Sequence, residues 1–144
     1  MSNSENARPL RLALFDCDGT LVDSQFAIID AMTTAWAAHG LGEPDPLEVR
    51  RMVGLPLVQA VSQLLPDLDT DRHVAVAESY KDAFAALRHR GDLHEPLFPG
   101  LRDTLDALEA EGVLLGVATG KSRRGLDAVL AHHGLTGRFV TLQT

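Results

Sequence analysis

Two short apolar runs, Leu10 to Phe15 and Val113 to Ala118, each stop at a polar turn, and the long stretch between them carries only helical periodicity. A short apolar run bounded by turn residues reads as a buried strand. A third strand is expected at Arg138 to Leu142. Strands separated by helices cannot close as hairpins, so they pair in parallel and predict an α/β fold with a helical insertion after the first strand.

The helical signals are local and dense. From Ser24, Phe26, Ile29, Met32, Thr33 and Trp36 recur on one face up to a stop at Gly40. Asp45-Pro46-Leu47-Glu48 is a helix start, with a capping acid and a proline at the first helical position. Leu57, Val61, Leu64 and Leu65 mark the next helix, and Val74, Ala77, Tyr80, Phe84 and Leu87 mark a longer one from Thr70 or Asp71 to Gly91. After the breaker at 95–100, Leu101, Leu105 and Leu108 outline a helix, and Leu126, Val129, Leu130 and His133 outline another. The division expected is a loose tail at 1–8, an α/β core at 9–23 and 93–144, and a helical subdomain at 24–92.

Composition narrows the function classes. The 144 residues are 45% apolar, and a formal charge of −7 with only two lysines, Lys81 and Lys121, argues against a nucleic-acid surface, which needs clustered cations. Cys17 is the single cysteine, so no internal disulfide can form and a reducing, cytoplasmic setting is expected. Neither a signal-peptide core nor a membrane span is read in the chain. The six histidines lack metal-ligand spacing.

The chemistry is expected where the strands end, because ligands of open parallel sheets bind there. Asp16 and Asp18 follow the first strand, and two carboxylates so spaced can divide the work of nucleophile and general acid and base. Asp-Gly alone is an ordinary turn. The whole stretch Asp16-Cys17-Asp18-Gly19-Thr20-Leu21-Val22-Asp23-Ser24, however, resembles the first signature of the haloacid dehalogenase-like hydrolases. A helical insertion behind it, a Pro-Gly hinge and a strand ending in Thr119-Gly120 extend the resemblance to the subgroup with a helical cap, nearest to phosphoglycolate phosphatase-like members.

The resemblance implies a Rossmann-like core and a Mg²⁺-dependent phosphatase of small phosphate esters acting through an aspartyl-phosphate. It implies Asp16 as nucleophile and metal ligand, and Asp18 as acid and base with its backbone carbonyl also on the metal. Thr119, Gly120 and the Cys17 backbone N–H would hold the phosphoryl group. An acid at position 18 suits ester hydrolysis, since halide departure needs no proton donor. In the cap, Arg50 and Arg51 beside Gly54-Leu55-Pro56 resemble a specificity loop that could pair with a substrate carboxylate.

Family members continue beyond the third strand with a lysine and an acidic pair, whereas this chain stops at Thr144. The resemblance therefore implies an N-terminal portion, with Lys121 as the one stand-in for the phosphate-binding lysine and with weak metal affinity. It also implies an exposed edge at the first strand, and hence marginal stability, self-association or dependence on a complementary segment. The alternatives are a non-catalytic remnant or binding module, and a phosphomutase of the same family.

Overall fold

The computed structural model describes residues 9–144, so the expected tail at 1–8 lies outside it. Strands β1 (Arg11–Phe15), β2 (Val113–Ala118) and β3 (Thr141–Gln143) form one parallel sheet in the order β1-β2-β3. Leu12 stands opposite Leu114, Phe15 opposite Val117, and Val117 opposite Leu142. Between β1 and β2 run α1 (Gln25–Ala38), α2 (Pro46–Arg51), α3 (Leu57–Leu64), α4 (Thr70–Arg90) and α5 (Leu101–Ala110), and α6 (Arg123–His132) joins β2 to β3. This is the expected α/β parallel sheet.

The third strand begins later than the sequence suggests. Arg138 still belongs to the turn after α6, donating its N–H to Leu135, and Phe139 is buried beneath the sheet. Ladder pairing starts when the Val140 N–H reaches the Leu115 carbonyl at 2.8 Å.

The face of α1 is also rotated from the expected one. The helix buries Ala27, Ile28, Ala31, Met32, Ala35 and Trp36, leaving Phe26 58% exposed and Thr33 at the surface. Three alanines on the buried side allow α4 to approach closely, and that fit outweighs the size of Phe26. On α4 the buried set likewise moves to His73, Val76, Ala77, Phe84 and Leu87, with Val74 exposed. Asp45 and Asp69 cap α2 and α4 by accepting from Leu47 and Arg72, both at 2.8 Å, and Gly91 closes α4 at φ +74°.

Two hydrophobic clusters result. One joins α1 to α4, and the other packs α5, α6, Leu135 and Phe139 against Leu115 and Val117 of β2. Two connecting segments cross between them side by side: the Asp23 N–H donates to Pro96, the Phe98 N–H to Leu21, and Val22 bridges Leu97 antiparallel. That pairing brings Ser24 and Glu95 to the end of β1. No helix of the described residues is long and apolar enough to cross a membrane.

Candidate functional site

Parallel strands end together, so the loops after β1 and β2 share one edge of the sheet. Gly19, at φ +79°, turns the first loop, and the Cys17 carbonyl accepts from the N–H groups of Thr20, Leu21 and Val22. Among the described residues, that of Asp18 accepts no hydrogen bond. Asp16, Asp18, Thr119, Gly120 and Lys121 all line one cavity of about 340 Å³ between the sheet end and the helices.

Asp16 uses one oxygen locally, Oδ1 accepting from the Cys17 N–H at 2.6 Å. The Cys17 amide that the sequence offered to a phosphate is therefore held by its neighbour's carboxylate. Its thiol is fully buried and pushed up to about 12, by burial first and then by the carboxylate of Asp18, so it is inert at neutral pH. Position 54 approaches Asp16 from the helical side: a Cβ there would lie 3.9 Å from Oδ2, on a backbone at φ +99° that favours glycine. A Cβ at Gly120 would meet the Gly54 carbonyl at 3.0 Å, so the loop at 54–55 presses on the loop after β2.

Asp18 is bonded from two sides. Its Oδ1 accepts from the Ser24 hydroxyl at 2.8 Å, and both its oxygens accept from Lys121 Nζ at 3.1 and 3.3 Å. Lys121 does not stand free to meet a phosphate. Its ammonium also lies 3.5 Å from Glu95 Oε1 and 4.9 Å from the centre of the Phe84 ring. Glu95 Oε1 is buried without a hydrogen bond, in ion-pair range of Lys121 but outside bonding geometry. Burial pulls the Lys121 ammonium down, yet the carboxylates of Asp18 and Glu95 more than offset this and hold it above its ordinary value. One cation thus serves two carboxylates.

Thr119 donates its N–H to Gln143 at the end of β3, which fixes the loop, and its hydroxyl oxygen accepts from the Lys121 N–H at 3.1 Å. Among the described residues the Thr119 hydroxyl donates no hydrogen bond, and the residue lines the cavity. Arg50 and Arg51 do not line the cavity. Both are exposed, and Arg51 is held by Glu48 at 2.6 Å, because α2 turns their side of the helix outward while Val49 faces in. Arg88 and Arg124 line it instead.

Sequence reasoning missed Glu95, Phe84 and Arg88. Glu95 sits in a segment read only as a breaker, and Phe84 falls on an apolar stripe that reads as packing. Nothing local marks either.

For a metal, the described residues offer hard oxygen donors of the kind Mg²⁺ takes: Asp16 Oδ1, which keeps a lone pair beside its bond from the Cys17 N–H, and the unbonded Asp18 carbonyl. They include no group of three or more His, Cys, Asp and Glu side chains able to hold a cation. Two protein donors fit a largely hydrated ion completed by a substrate oxygen.

Residues 13–144 match the family profile described as haloacid dehalogenase-like hydrolase. The "Probable phosphatase IndB" of Dickeya dadantii (strain 3937) is 34% identical over 131 residues, covering 89% of this chain and 56% of the relative. The phosphoglycolate phosphatase of Vibrio vulnificus (strain YJ016) is 31% identical over 138 residues, covering 91% and 59%. A crystal structure titled as a predicted phosphatase from Clostridium acetobutylicum superposes with a TM-score of 0.82 at 25% identity, covering 94% of this chain and 61% of that one. The chain spans less than two thirds of the length of each.

Proposed function

The chain belongs to the haloacid dehalogenase-like hydrolases, and on that premise we propose that it carries the nucleophile half of a Mg²⁺-assisted phosphatase for small phosphate esters, with residues 24–92 as a cap over the site. The observation that carries the reading is the meeting of Asp16, Asp18 and Thr119 from two strand ends in one cavity.

Asp16 Oδ2 attacks phosphorus while the bond to the ester oxygen breaks, and that oxygen takes its proton from the Asp18 carboxyl. A water then gives its proton back to Asp18 and attacks the aspartyl-phosphate, releasing inorganic phosphate and restoring the Asp16 carboxylate. The Thr119 hydroxyl and the Gly120 N–H donate to the phosphoryl oxygens as charge builds on them. Asp16 Oδ1 and the Asp18 carbonyl would hold Mg²⁺, which would supply positive charge against the dianionic ester. Ser24 and Lys121 hold the Asp18 carboxylate between the two half-reactions, after it has given up its proton.

The two-donor metal set favours one competing reading, a module that binds phosphate esters without turning them over. Assaying phenyl phosphate with Mg²⁺ separates the two. Asp18→Asn is expected to lower kcat by about 10²- to 10⁴-fold, the usual contribution of a general acid and base. Unchanged turnover in Asp18→Asn overturns the mechanism, and phosphate binding without turnover supports the module.

A further inference from the structure

The cavity is larger and less polar than a phosphoryl group with a short charged alcohol requires. Its 340 Å³ falls at the lower end of the roughly 300–1,000 Å³ pockets that enclose ligands of drug size. The charged groups described above occupy the sheet end. Across from them the wall is Met32, Val49, Met52, Leu57 and Ala60, and the Tyr80 ring leans on Phe84 at 5.7 Å between centres. From the helical segment, only Tyr80, Lys81 and Arg88 bring polar side-chain atoms to the lining, and no carboxylate does.

Neither cation stands idle. Lys81 is exposed and bonded to Glu78 at 2.6 Å, and the Arg88 guanidinium lies over the Phe84 ring at 5.7 Å. A polyhydroxyl alcohol would lay its hydroxyls against methyl groups and leave their hydrogen bonds unmade. On the helical wall a carboxylate would have to draw Arg88 off Phe84, since the other lining arginine, Arg124, belongs to α6 at the sheet end. A flat apolar body meets the wall as it stands and displaces water from its partly exposed members, Met52 and Leu57.

We infer that the alcohol half of the substrate is aromatic or similarly flat and apolar, a selection made by the helical wall. The inference rests on the phosphatase reading, since the phosphoryl group must sit at Asp16 and Thr119 for the alcohol to reach that wall.

The test compares two non-hydrolysable ligands on the full chain: benzylphosphonate, which mimics phenyl phosphate, and 3-phosphonopropionate, which mimics phosphoglycolate. Two of the three methionines, Met32 and Met52, line the cavity, so ¹³C-methyl methionine signals report on the wall and the Gly120 amide reports on the phosphoryl end. Benzylphosphonate is expected to bind about tenfold more tightly or better, within the range that one apolar group contributes in a fitted pocket. Its ring should shift both methyl signals, and both ligands should shift Gly120. Equal or tighter binding of 3-phosphonopropionate with Gly120 moving overturns the inference and leaves the phosphatase reading in place, as does benzylphosphonate binding that moves Gly120 but neither methyl. A Gly120 amide that neither ligand moves overturns the phosphatase reading and this inference with it.

Discussion

Leu115 and Val117 on one face of β2 are buried against α5 and α6, while Leu12 and Leu14, on the other face of the neighbouring β1, are 49% and 57% exposed. The two faces are made of the same kinds of side chain. On the buried face, Ala13, Phe15 and Leu142 join β2 in one cluster with both helices. On the other, the Leu14 side chain leans over Gly116, where a Cβ would come within 2.7 Å of it, and no described helix buries it. Parallel sheets are ordinarily covered on both faces. The difference teaches that strand apolarity reports what a face is suited to meet, and not whether the chain in hand supplies the cover.

The largest effect should separate the faces directly. Leu115→Ala is expected to destabilise by about 2–5 kcal/mol, as for a fully buried leucine that leaves a cavity, and Leu14→Ala by less than about 1 kcal/mol. Urea denaturation of both variants measures this, and equal losses would mean that the second face is covered in solution. Next, this face, together with the outer side of β1, which pairs with no strand among the described residues, should make the chain self-associate. Leu12→Glu combined with Leu14→Glu should weaken association about tenfold in sedimentation velocity, of the order of one leucine's burial. Unchanged association would place the contact elsewhere.

The smallest effect sharpens the covered face, to which Cys17 belongs. Its thiol is raised in the folded chain from 9.0 to about 12, so the contribution to stability is complete below pH 9. Between pH 9 and 12 the unfolded thiol loses its proton while the folded one keeps it, and stability falls by up to about 1.4 kcal/mol per pH unit. Cys17→Ala should flatten that slope in denaturation series run from pH 8 to 10.5.

Local patterns announced both principal strands, because apolar residues stop abruptly at Asp16 and Thr119, and a nine-residue motif singled out the two aspartates proposed as catalytic. The buried face of α1 was not legible: alanine carries little hydrophobic signal, and only the approach of α4 makes Ala27, Ala31 and Ala35 the inner side. Glu95 was hidden for a related reason. Its partner Lys121 is distant in sequence, and pairing of the segments at 22 and 97 brings them together. Arg50 and Arg51 showed the converse, since a suggestive charge pair on a short helix was turned outward by the burial of Val49.

The central claim is that the Asp16 carboxylate takes the phosphoryl group. Acid quenching of the full chain during exposure to ³²P-labelled phenyl phosphate and Mg²⁺, followed by peptide mapping, tests it most directly. The expected result is an acid-stable, hydroxylamine-labile label on the peptide carrying Asp16, absent from Asp16→Ala. Turnover with Asp16 unlabelled, or label that persists in Asp16→Ala, would contradict it.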